Sequence, residues 1–536
     1  MKEIIKKSIQ DALNILKIDF SEEILVEVPA NRKNGDFSSN IALKLTKQLK
    51  ENPLNIAATL VSAIKNKNII LIEIKPPGFI NFTTTKDYLI ENINKVLSLQ
   101  DDYGRSSIGE GKNINIEFVS ANPTGILHMG NARGGAYGDN LANILEFSGH
   151  KVTREYYVND AGNQIINLGK SIQARYFELL SHPFELPEDG YFGPEIIEIA
   201  ASLYTKFKDT LIKKDIDFYS EYGVTILLDK IKKVLHEYRI KYDVFTSEKA
   251  IRQKNNIPKI LDKLTQSGHT YKSEGALWLK STDYGDTADH VLVKNDETYT
   301  YLVPDIDYHI NKISRGYTKL IDVLGTDHHG YVARLKASLS ALGHNSDILD
   351  VKLLQLVRLI RDGQEIKMSK RTGNVITLND LIEEIGVNAT RYMFASRSLD
   401  TQFDFDLELA KKKSNENPVY YVSYAYARIC TILSTTDHNQ KIDNYVTIAN
   451  EDAYNLLENI YKFEDIVKSS AEKELPHLIA NYVYDLASLF HTYYSRNRII
   501  CDDEQTTNEN INLIKAVKIT LGNALKLIGV IAPTKM

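Results

Sequence analysis

The chain contains only two cysteines, Cys430 and Cys501, among its 536 residues. Two cysteines cannot form a disulfide framework or a four-sulfur zinc site, and so small a number fits a reducing cytoplasm. The sequence also lacks an apolar run as long as a membrane span. Near the N-terminus, Glu3, Gln10 and Asp11 interrupt the apolar core that a signal peptide needs. These absences predict a cytoplasmic protein that does not enter a membrane.

The sequence has no excess of positive charge, because 65 Lys and Arg residues stand against 70 Asp and Glu residues, for a net charge of −5. A protein that is basic all over is therefore excluded, and any RNA contact needs basic residues grouped on one surface. The composition, 43% hydrophobic and 25% charged, is typical of a globular protein. The length predicts roughly three or four domains.

The most informative stretch runs from residue 113 to residue 164. Branched residues alternate at 114–119, which predicts a strand, and residues 120–125 predict a turn. A glycine-rich segment and a helix ending near Gly149 follow, and a second strand is predicted at about 151–158. Such a unit places a ligand at the carboxyl end of the first strand, facing the N-terminus of the helix.

The glycine-rich turn predicts a phosphate site. A helix N-terminus offers unpaired N–H groups and partial positive charge. His128 and Asn131 lie three residues apart, so they share one helix face, and both can donate hydrogen bonds to phosphate oxygens. Gly130, Gly134 and Gly135 are expected to let a nucleotide approach the backbone closely. The alternative is that His128 merely caps the helix. The spacing matches neither the dinucleotide fingerprint nor a phosphate loop.

The residues His128-Met129-Gly130-Asn131 resemble the "HIGH" signature of class I aminoacyl-tRNA synthetases and related nucleotidylyl transferases. The flanking sequences indicate a narrower family. Ser-Ala-Asn-Pro-Thr-Gly at 120–125 and Glu-Tyr-Tyr-Val-Asn-Asp-Ala-Gly-Asn-Gln at 155–164 resemble arginyl-tRNA synthetases of the bacterial type. One departure is Asn131, which stands where the signature has histidine. An amide can donate a hydrogen bond but carries no charge, so more of the catalytic weight is expected on His128.

A second signature lies at residues 366–374, Ile-Lys-Met-Ser-Lys-Arg-Thr-Gly-Asn. Two lysines three residues apart in a flexible loop suit a departing polyphosphate. The segment resembles the "KMSKS" signature of the same class, with Arg371 in place of the last serine. The paired signatures imply four catalytic residues: His128, Asn131, Lys367 and Lys370. Further ATP contacts are implied for Gly130, Met368 and Ser369.

The resemblance implies an α/β fold with a Rossmann-like class I synthetase catalytic core, a small α+β N-terminal domain and an all-α C-terminal domain. We expect the N-terminal domain at 1–100, including a strand at 24–28. The core is expected at 101–406, with a helical insertion at about 165–270. A helical anticodon-binding domain is expected at 407–536.

The second half of the core predicts the arginine site. Strands are predicted at 299–303, 320–325 and 351–359, and a helix is predicted to begin at Pro304. The resemblance implies that arginine is contacted by Glu117, Ser120, Asn122, Tyr301, Asp305 and His328. From the residues alone, Asp305 could equally cap the helix. His328 and His329 are adjacent and lack a third ligand at helical spacing, so no metal site is predicted.

The resemblance also implies tRNA contacts in the two outer domains. Arg32 and Lys33 are candidates in the N-terminal domain, where basic residues could equally form a solvated surface. Tyr420, Tyr424 and Arg428 are candidates in the helical domain, although a tyrosine stripe more often belongs to the core than to a base-stacking surface.

Together these features predict an arginine–tRNA ligase that forms arginyl-adenylate from arginine and ATP and then charges tRNA(Arg). Magnesium is expected to accompany ATP, without a tightly bound cofactor, and the protein is expected to be a cytoplasmic monomer. Two alternatives remain. A nucleotidylyl transferase would share both signatures but would not need a large helical tail. A non-catalytic tRNA-binding relative would keep the tail but lose His128 or Lys370.

Overall fold

The computed structural model describes residues 1–29, 31–366, 376–435 and 447–536. Within these residues the chain forms two compact units. One contains residues 1–98 and 447–449, and the other contains residues 99–435 and 450–536. No helix in the described ranges is long and apolar enough to cross a membrane.

The first unit packs helices on a three-stranded antiparallel sheet with strand order β1-β3-β2. Its elements are α1 (Lys2–Ile15), β1 (Phe37–Ser39), α2 (Ile41–Leu49), α3 (Pro53–Ala63), β2 (Ile69–Lys75), β3 (Phe79–Thr84) and α4 (Asp87–Leu99). Pro53 opens α3 behind the capping side chain of Asn52, as its preset φ allows. The predicted strand at 24–28 is wrong, because Glu27 alone pairs with Ser38 in an isolated bridge.

The second unit begins with the strand–helix–strand unit that the sequence predicts. Its first elements are β4 (Asn113–Glu117), α5 (Met129–Phe147), β5 (Lys151–Val158), α6 (Asn163–Leu179), α7 (Pro194–Phe207), α8 (Ile216–Glu237), β6 (Val244–Ser247), α9 (Glu248–Gln253) and α10 (Ile257–Gln266). Gly149, at a φ of +90°, follows α5 in the left-handed conformation that favours glycine. The segment 165–270 is mainly helical, but β6 pairs with β5, so it includes a strand of the core sheet.

The next stretch contains the small sheet β7-β8-β9 and two further core strands. Its elements are β7 (Thr270–Ser273), β8 (Ala276–Leu279), β9 (His290–Val293), α11 (Leu302–Ser314), β10 (Lys319–Gly325), α12 (His329–Ala341), β11 (Leu349–Leu354), β12 (Val357–Arg361) and β13 (Gln364–Glu365).

Two predictions for this stretch are wrong. Residues 299–303 do not form a strand: Tyr299 makes one bridge to Val293, and α11 begins already at Leu302, with Pro304 in its first turn. The single strand predicted at 351–359 is two strands in different sheets, because the chain leaves β11 after Leu354 and begins β12 at Val357.

The remaining described residues are helical apart from one strand. They form α13 (Leu378–Ala395), β14 (Phe403–Asp406), α14 (Leu407–Lys411), α15 (Pro418–Ser434), α16 (Glu451–Lys473), α17 (His477–Arg496) and α18 (Glu504–Leu527). This agrees with the predicted helical character of residues 407–536.

The central sheet has strand order β11-β10-β4-β5-β6, and every pair in it is parallel. Parallel strands place their carboxyl ends at one edge, and ligands collect where the strand order reverses. Here β4 and β10 are neighbours, so the turn after β4 and the turn after β10 meet at that edge.

A buried arginine joins the helical region to the core. Arg391 of α13 is fully buried and donates hydrogen bonds to Asp139 and Asn140 of α5. It also donates to the backbone carbonyls of Tyr238 and Ile528. One side chain therefore fixes α5, the end of α8 and the C-terminal segment relative to each other.

Candidate active site

A cleft of about 1220 Å³ opens at the carboxyl edge of the central sheet. Its lining includes every predicted ATP or arginine residue that falls within the described parts of the chain: Glu117, Ser120, Asn122, His128, Gly130, Asn131, Tyr301, Asp305 and His328. Residues that are more than two hundred positions apart in the sequence therefore line one space, large enough for two small substrates.

The turn before α5 is organised by a reciprocal capping pair. The Nδ1 atom of His128 accepts a hydrogen bond from the backbone N–H of Gly130 at 3.2 Å. The side-chain oxygen of Asn131 accepts one from the backbone N–H of His128 at 3.0 Å. His128 thus does cap the helix, yet this arrangement also suits function. Because Nδ1 is the acceptor, the neutral ring carries its proton on Nε2, and Asn131 keeps its NH₂ group as a donor.

The glycines of this turn serve two different purposes. A side chain at Gly135 would approach Ile240 to 2.7 Å, so that glycine permits close packing of α5 rather than nucleotide approach. A side chain at Gly134 would meet Leu354 at 3.0 Å, although Gly134 also lines the cleft. At Gly130 a side chain would meet the His128 ring, so Gly130 keeps the capping geometry open.

The floor of the cleft at Glu117 is backed by a buried cluster of ionic groups. Glu117 of β4 lies opposite Asp322 of β10 in the parallel register, so two carboxylates share one face of the sheet. Lys312 of α11, which is fully buried, donates to both of them. His309 donates to Asp322 at 2.8 Å, and the hydroxyl of Tyr308 donates to Glu117 at 2.8 Å.

The two carboxyl groups that share Lys312 have different pKa values. Burial tends to raise the pKa of Asp322, but Lys312 and His309 outweigh burial and hold that pKa well below its usual range. Burial and the charge of Asp322 raise the pKa of Glu117. Burial tends to lower the pKa of Lys312, and the carboxylates reverse this and raise it. Lys312 is therefore charged and Asp322 ionised, while Glu117 is already engaged within the protein.

The turn after β4 is held in an unusual conformation. Val119 and Ser120 both have positive φ angles, of +68° and +35°. Ser120 donates to Glu117 at 2.9 Å and accepts from the backbone of Tyr157 at 3.0 Å. Asn122 bonds to both Asn159 and Gln164 at 2.6 Å. This turn is not part of a helix or strand, and side-chain hydrogen bonds hold it where Ser120 and Asn122 line the cleft.

The two residues predicted to read the arginine side chain differ in exposure. Tyr301 is 79% exposed at the N-cap of α11, without a side-chain capping bond. Asp305 is half-buried in the first turns of α11 and accepts a hydrogen bond from the hydroxyl of Tyr331. The alternative that Asp305 caps the helix is wrong, because the cap position lies four residues earlier.

His328 lies at the end of β10, and its half-exposed side chain approaches Asp327 at 3.7 Å. Within the described ranges, no group of three or more His, Cys, Asp or Glu side chains could hold a metal ion.

The predicted catalytic lysines Lys367 and Lys370, with Met368 and Ser369, lie outside the described residues. The chain after them is described from residue 376, and Thr377 pairs with His128 in an isolated backbone bridge. Leu378 also donates a backbone hydrogen bond to Leu127 at 2.9 Å. The chain that follows the lysine segment therefore contacts the turn that begins α5.

The candidate tRNA residues of the helical region form a half-buried stack on α15. Tyr420, Tyr424 and Arg428 lie at four-residue spacing on α15, and each is half-buried. The rings of Tyr420 and Tyr424 are 6.3 Å apart and 5° from parallel, and Tyr424 also stacks on His491 of α17 at 5.8 Å. The guanidinium of Arg428 lies over the rings of Tyr424 and Tyr494.

In the first unit, Lys33 is exposed within a short helical turn that spans Arg32–Asn34. Its backbone N–H donates to the side chain of Asn31 at 3.0 Å. The side chain of Arg32 is not among the described parts.

Sequence reasoning missed the residues that support the site from α11, β10 and α12, namely Tyr308, His309, Lys312, Asp322, Tyr331 and Arg334. A signal for some of them was present. Asp305, Tyr308, His309 and Lys312 follow at i, i+3, i+4 and i+7, so they lie on one face of the helix. A polar face on a buried helix indicates a polar cleft or a buried network.

Family models and known structures agree with this geometry. The model described as "tRNA synthetases class I (R), catalytic domain" matches residues 92–400. Together with the parallel sheet and the capped helix at its carboxyl edge, that match defines the chain as a class I aminoacyl-tRNA synthetase. Models for an arginyl tRNA synthetase N-terminal domain and a DALR anticodon binding domain match residues 3–84 and 422–536.

The chain belongs to the arginyl-tRNA synthetase family. It is 45% identical to arginine–tRNA ligases of Bacillus licheniformis and Bacillus subtilis, over 100% of this chain and 99% of each relative. The arginyl-tRNA synthetase structure of Thermus thermophilus, at 19% identity, superposes with a TM-score of 0.79 over the full length of both chains. These findings confirm the predicted family and fold class.

Proposed function

We propose that this chain ligates arginine to the 3′ end of tRNA(Arg) in two steps. The carboxylate of arginine attacks the α-phosphate of ATP, which gives arginyl-adenylate and releases pyrophosphate. A ribose hydroxyl at the 3′ end of tRNA then attacks the arginyl carbonyl, and AMP leaves. The observation that carries this proposal is 45% identity to arginine–tRNA ligases over the full length.

The capped helix α5 is assigned to the phosphates. Its N-terminal N–H groups, the Nε2–H of His128 and the amide of Asn131 all act as donors toward phosphate oxygens. Thr377 lies seven positions after Lys370, and a chain of seven residues spans at most roughly 25 Å. Lys367 and Lys370 are assigned to the departing pyrophosphate, whose charge they would neutralise, because the described chain that follows them pairs with His128 at Thr377.

The arginine side chain is assigned to Asp305 and Tyr301, with His328 beside them in the cleft. Glu117, Ser120 and Asn122 are assigned to the α-amino and carboxylate ends. Because Glu117 is already bound by Lys312 and Tyr308, its part includes positioning the turn through Ser120 as well as contacting substrate.

We further propose that magnesium accompanies ATP without dedicated protein ligands, and that the enzyme works as a cytoplasmic monomer. The proposed domain boundaries are 1–100, 101–406 and 407–536, with the insertion at about 165–270. Light scattering on purified protein, with and without tRNA, tests the oligomeric state.

The activity is tested by ATP–pyrophosphate exchange across the twenty amino acids, with and without tRNA. Exchange with arginine, and with none of the other nineteen amino acids, supports the proposal. Exchange with another amino acid would overturn the substrate assignment, and tRNA binding without any exchange would indicate a non-catalytic relative.

Replacing Lys370 by alanine should slow adenylate formation by about 100- to 1000-fold, typical of losing one charge-stabilising donor. ATP affinity should change little, because the lysine meets charge that develops on the pyrophosphate in the transition state. Single-turnover adenylate formation at several ATP concentrations separates the two quantities. Weak ATP binding with a normal chemical step would contradict the assignment.

The stacked surface of α15 and α17 is assigned to the tRNA anticodon region, because stacked rings beside a guanidinium suit unpaired bases and phosphates. Truncating the helical region is a poor test, since α16 and α18 pack on α5. Point substitution tests the assignment better.

Changing Arg428 to glutamine should weaken tRNA binding about tenfold and reduce the salt dependence of binding by about one phosphate contact. A matched control is Lys518 to glutamine, which removes a cation over Tyr426 of the same helix α15. Filter binding from low to high salt measures both. An unchanged salt slope in the Arg428 variant would remove this residue from the tRNA surface.

A further inference from the structure

One hydrogen bond in the cleft links two helices that enter it from different parts of the chain. The hydroxyl of Tyr331, on α12, donates to the Oδ2 atom of Asp305, on α11. Both residues line the cleft, and both are half-buried. The guanidinium of Arg334 lies 5.6 Å from the centre of the Tyr331 ring, one helical turn further along α12. The tyrosine ring therefore lies beside Arg334, with its hydroxyl directed at the carboxylate.

A carboxylate on its own can rotate about its terminal bond, and rotation costs binding energy when a planar ligand needs both oxygens in one orientation. A hydrogen bond to one oxygen stops that rotation. An ionised carboxylate has about four lone-pair sites, so Asp305 still has acceptor capacity on Oδ1 and on Oδ2. Guanidinium is planar and presents paired donors, so it gains most from a carboxylate whose plane is fixed.

We propose that Tyr331 is a positioning residue for the amino-acid substrate, and that its hydroxyl fixes the plane of the Asp305 carboxylate toward the guanidinium of arginine. This inference rests on the proposed function. Tyr331 lies on α12, after β10, and so outside both signature segments.

The charged and titratable groups around Asp305 come from several elements. They are His309 and Lys312 on its own helix, Asp322 on β10, Tyr157 on β5, Glu248 on α9, and Tyr331 and Arg334 on α12. Burial raises the pKa of Asp305, and the Tyr331 hydroxyl is the first of the groups that oppose this rise in pKa. Loss of the hydroxyl should therefore raise that pKa further.

Replacing Tyr331 by phenylalanine removes one oxygen and keeps the ring. The KM for arginine should rise about tenfold, as for loss of a hydrogen bond to a charged group, while kcat and the KM for ATP stay within about twofold. The ionised carboxylate is the form that binds, so binding weakens as pH falls through its pKa. The acid limb of kcat/KM for arginine should therefore move to higher pH in the variant.

Tyr284 to phenylalanine is the matched control, because Tyr284 packs on the same hydrophobic cluster and its hydroxyl bonds to His269. The pair Tyr331 to phenylalanine with Asp305 to asparagine completes a double-mutant cycle. If Tyr331 acts through Asp305, the double variant should lose no more than Asp305 to asparagine alone.

Three results would overturn the inference while leaving the enzyme an arginine–tRNA ligase. They are an unchanged arginine KM, an unmoved acid limb, or effects that add fully in the double variant. If the wild-type enzyme instead activates a different amino acid, the proposed function itself fails, and the two failures are thereby distinguished.

Discussion

Replacing Asp305 by asparagine should reduce kcat/KM for arginine by about 2–5 kcal/mol of transition-state stabilisation, roughly 30- to 5000-fold, with the KM for ATP almost unchanged. The substitution keeps the size of the side chain but removes its charge and one acceptor oxygen. The amide NH₂ group cannot accept a hydrogen bond from the guanidinium, whose N–H groups are all donors. A buried guanidinium would therefore be left half-paired.

The position of Asp305 within α11 separates its role in recognition from a role in helix capping. Helix α11 begins at Leu302, so Asp305 caps nothing and its loss should not unfold the helix end. Asp307 to asparagine is the matched control: it lies on the same helix, is buried, and accepts a weak hydrogen bond from Asn256 at 3.5 Å. Steady-state kinetics beside thermal unfolding separate recognition from stability. Normal arginine kinetics in the Asp305 variant would leave the cleft without its guanidinium partner.

Local signals predicted the phosphate half of the site well. A strand, a glycine-rich turn and a helix are contiguous in the chain, so residues 113–158 carry their own geometry, and the capped start of α5 follows from His128 and Asn131. The same kind of reasoning placed a strand at 299–303, since Tyr, Thr and Val alternate there. The chain makes just one bridge at Tyr299 before α11 begins, because Pro304 suits the first turn of a helix.

The ionic cluster at the floor of the cleft could not be predicted from the sequence, for a different reason. Glu117 and Asp322 meet because β4 and β10 are parallel neighbours in one particular register. Their separation along the chain is more than two hundred residues, and a shift of one residue would turn one of them to the other face of the sheet. No local pattern specifies such a register, so the spacing of polar residues on α11 could not show that Lys312 lies between the two carboxylates.

Replacing Lys312 by methionine should destabilise the protein by about 3–5 kcal/mol at neutral pH, because two buried carboxylates lose their shared cation. Lys312 is fully buried and donates to both Glu117 and Asp322. Methionine fills similar volume, so the loss reports the charge rather than a cavity. Lys230 to methionine is the matched control, since its 2.6 Å pair with Glu198 is exposed and should contribute less than about 1 kcal/mol.

The contribution of Asp322 to the pH dependence of stability should change sign in this variant. In the wild type the lowered pKa of Asp322 adds stability above the unfolded value of about 3.9, and that stability is lost as pH falls. Without Lys312 the pKa values of both carboxylates should lie above their unfolded values, so the folded variant binds more protons and gains stability as pH falls from 7 toward 5.

Urea unfolding of wild type and variant between pH 5 and pH 7 measures this difference directly. The deficit of the Lys312 variant should narrow toward pH 5, whereas that of the Lys230 control should stay small throughout. If the single variant does not fold, Lys312 to methionine combined with Asp322 to asparagine should recover part of the loss, because one buried charge has been removed with its partner. A deficit that is independent of pH, or no recovery in the double variant, would mean that Lys312 stabilises the core by packing rather than by neutralising the floor of the cleft.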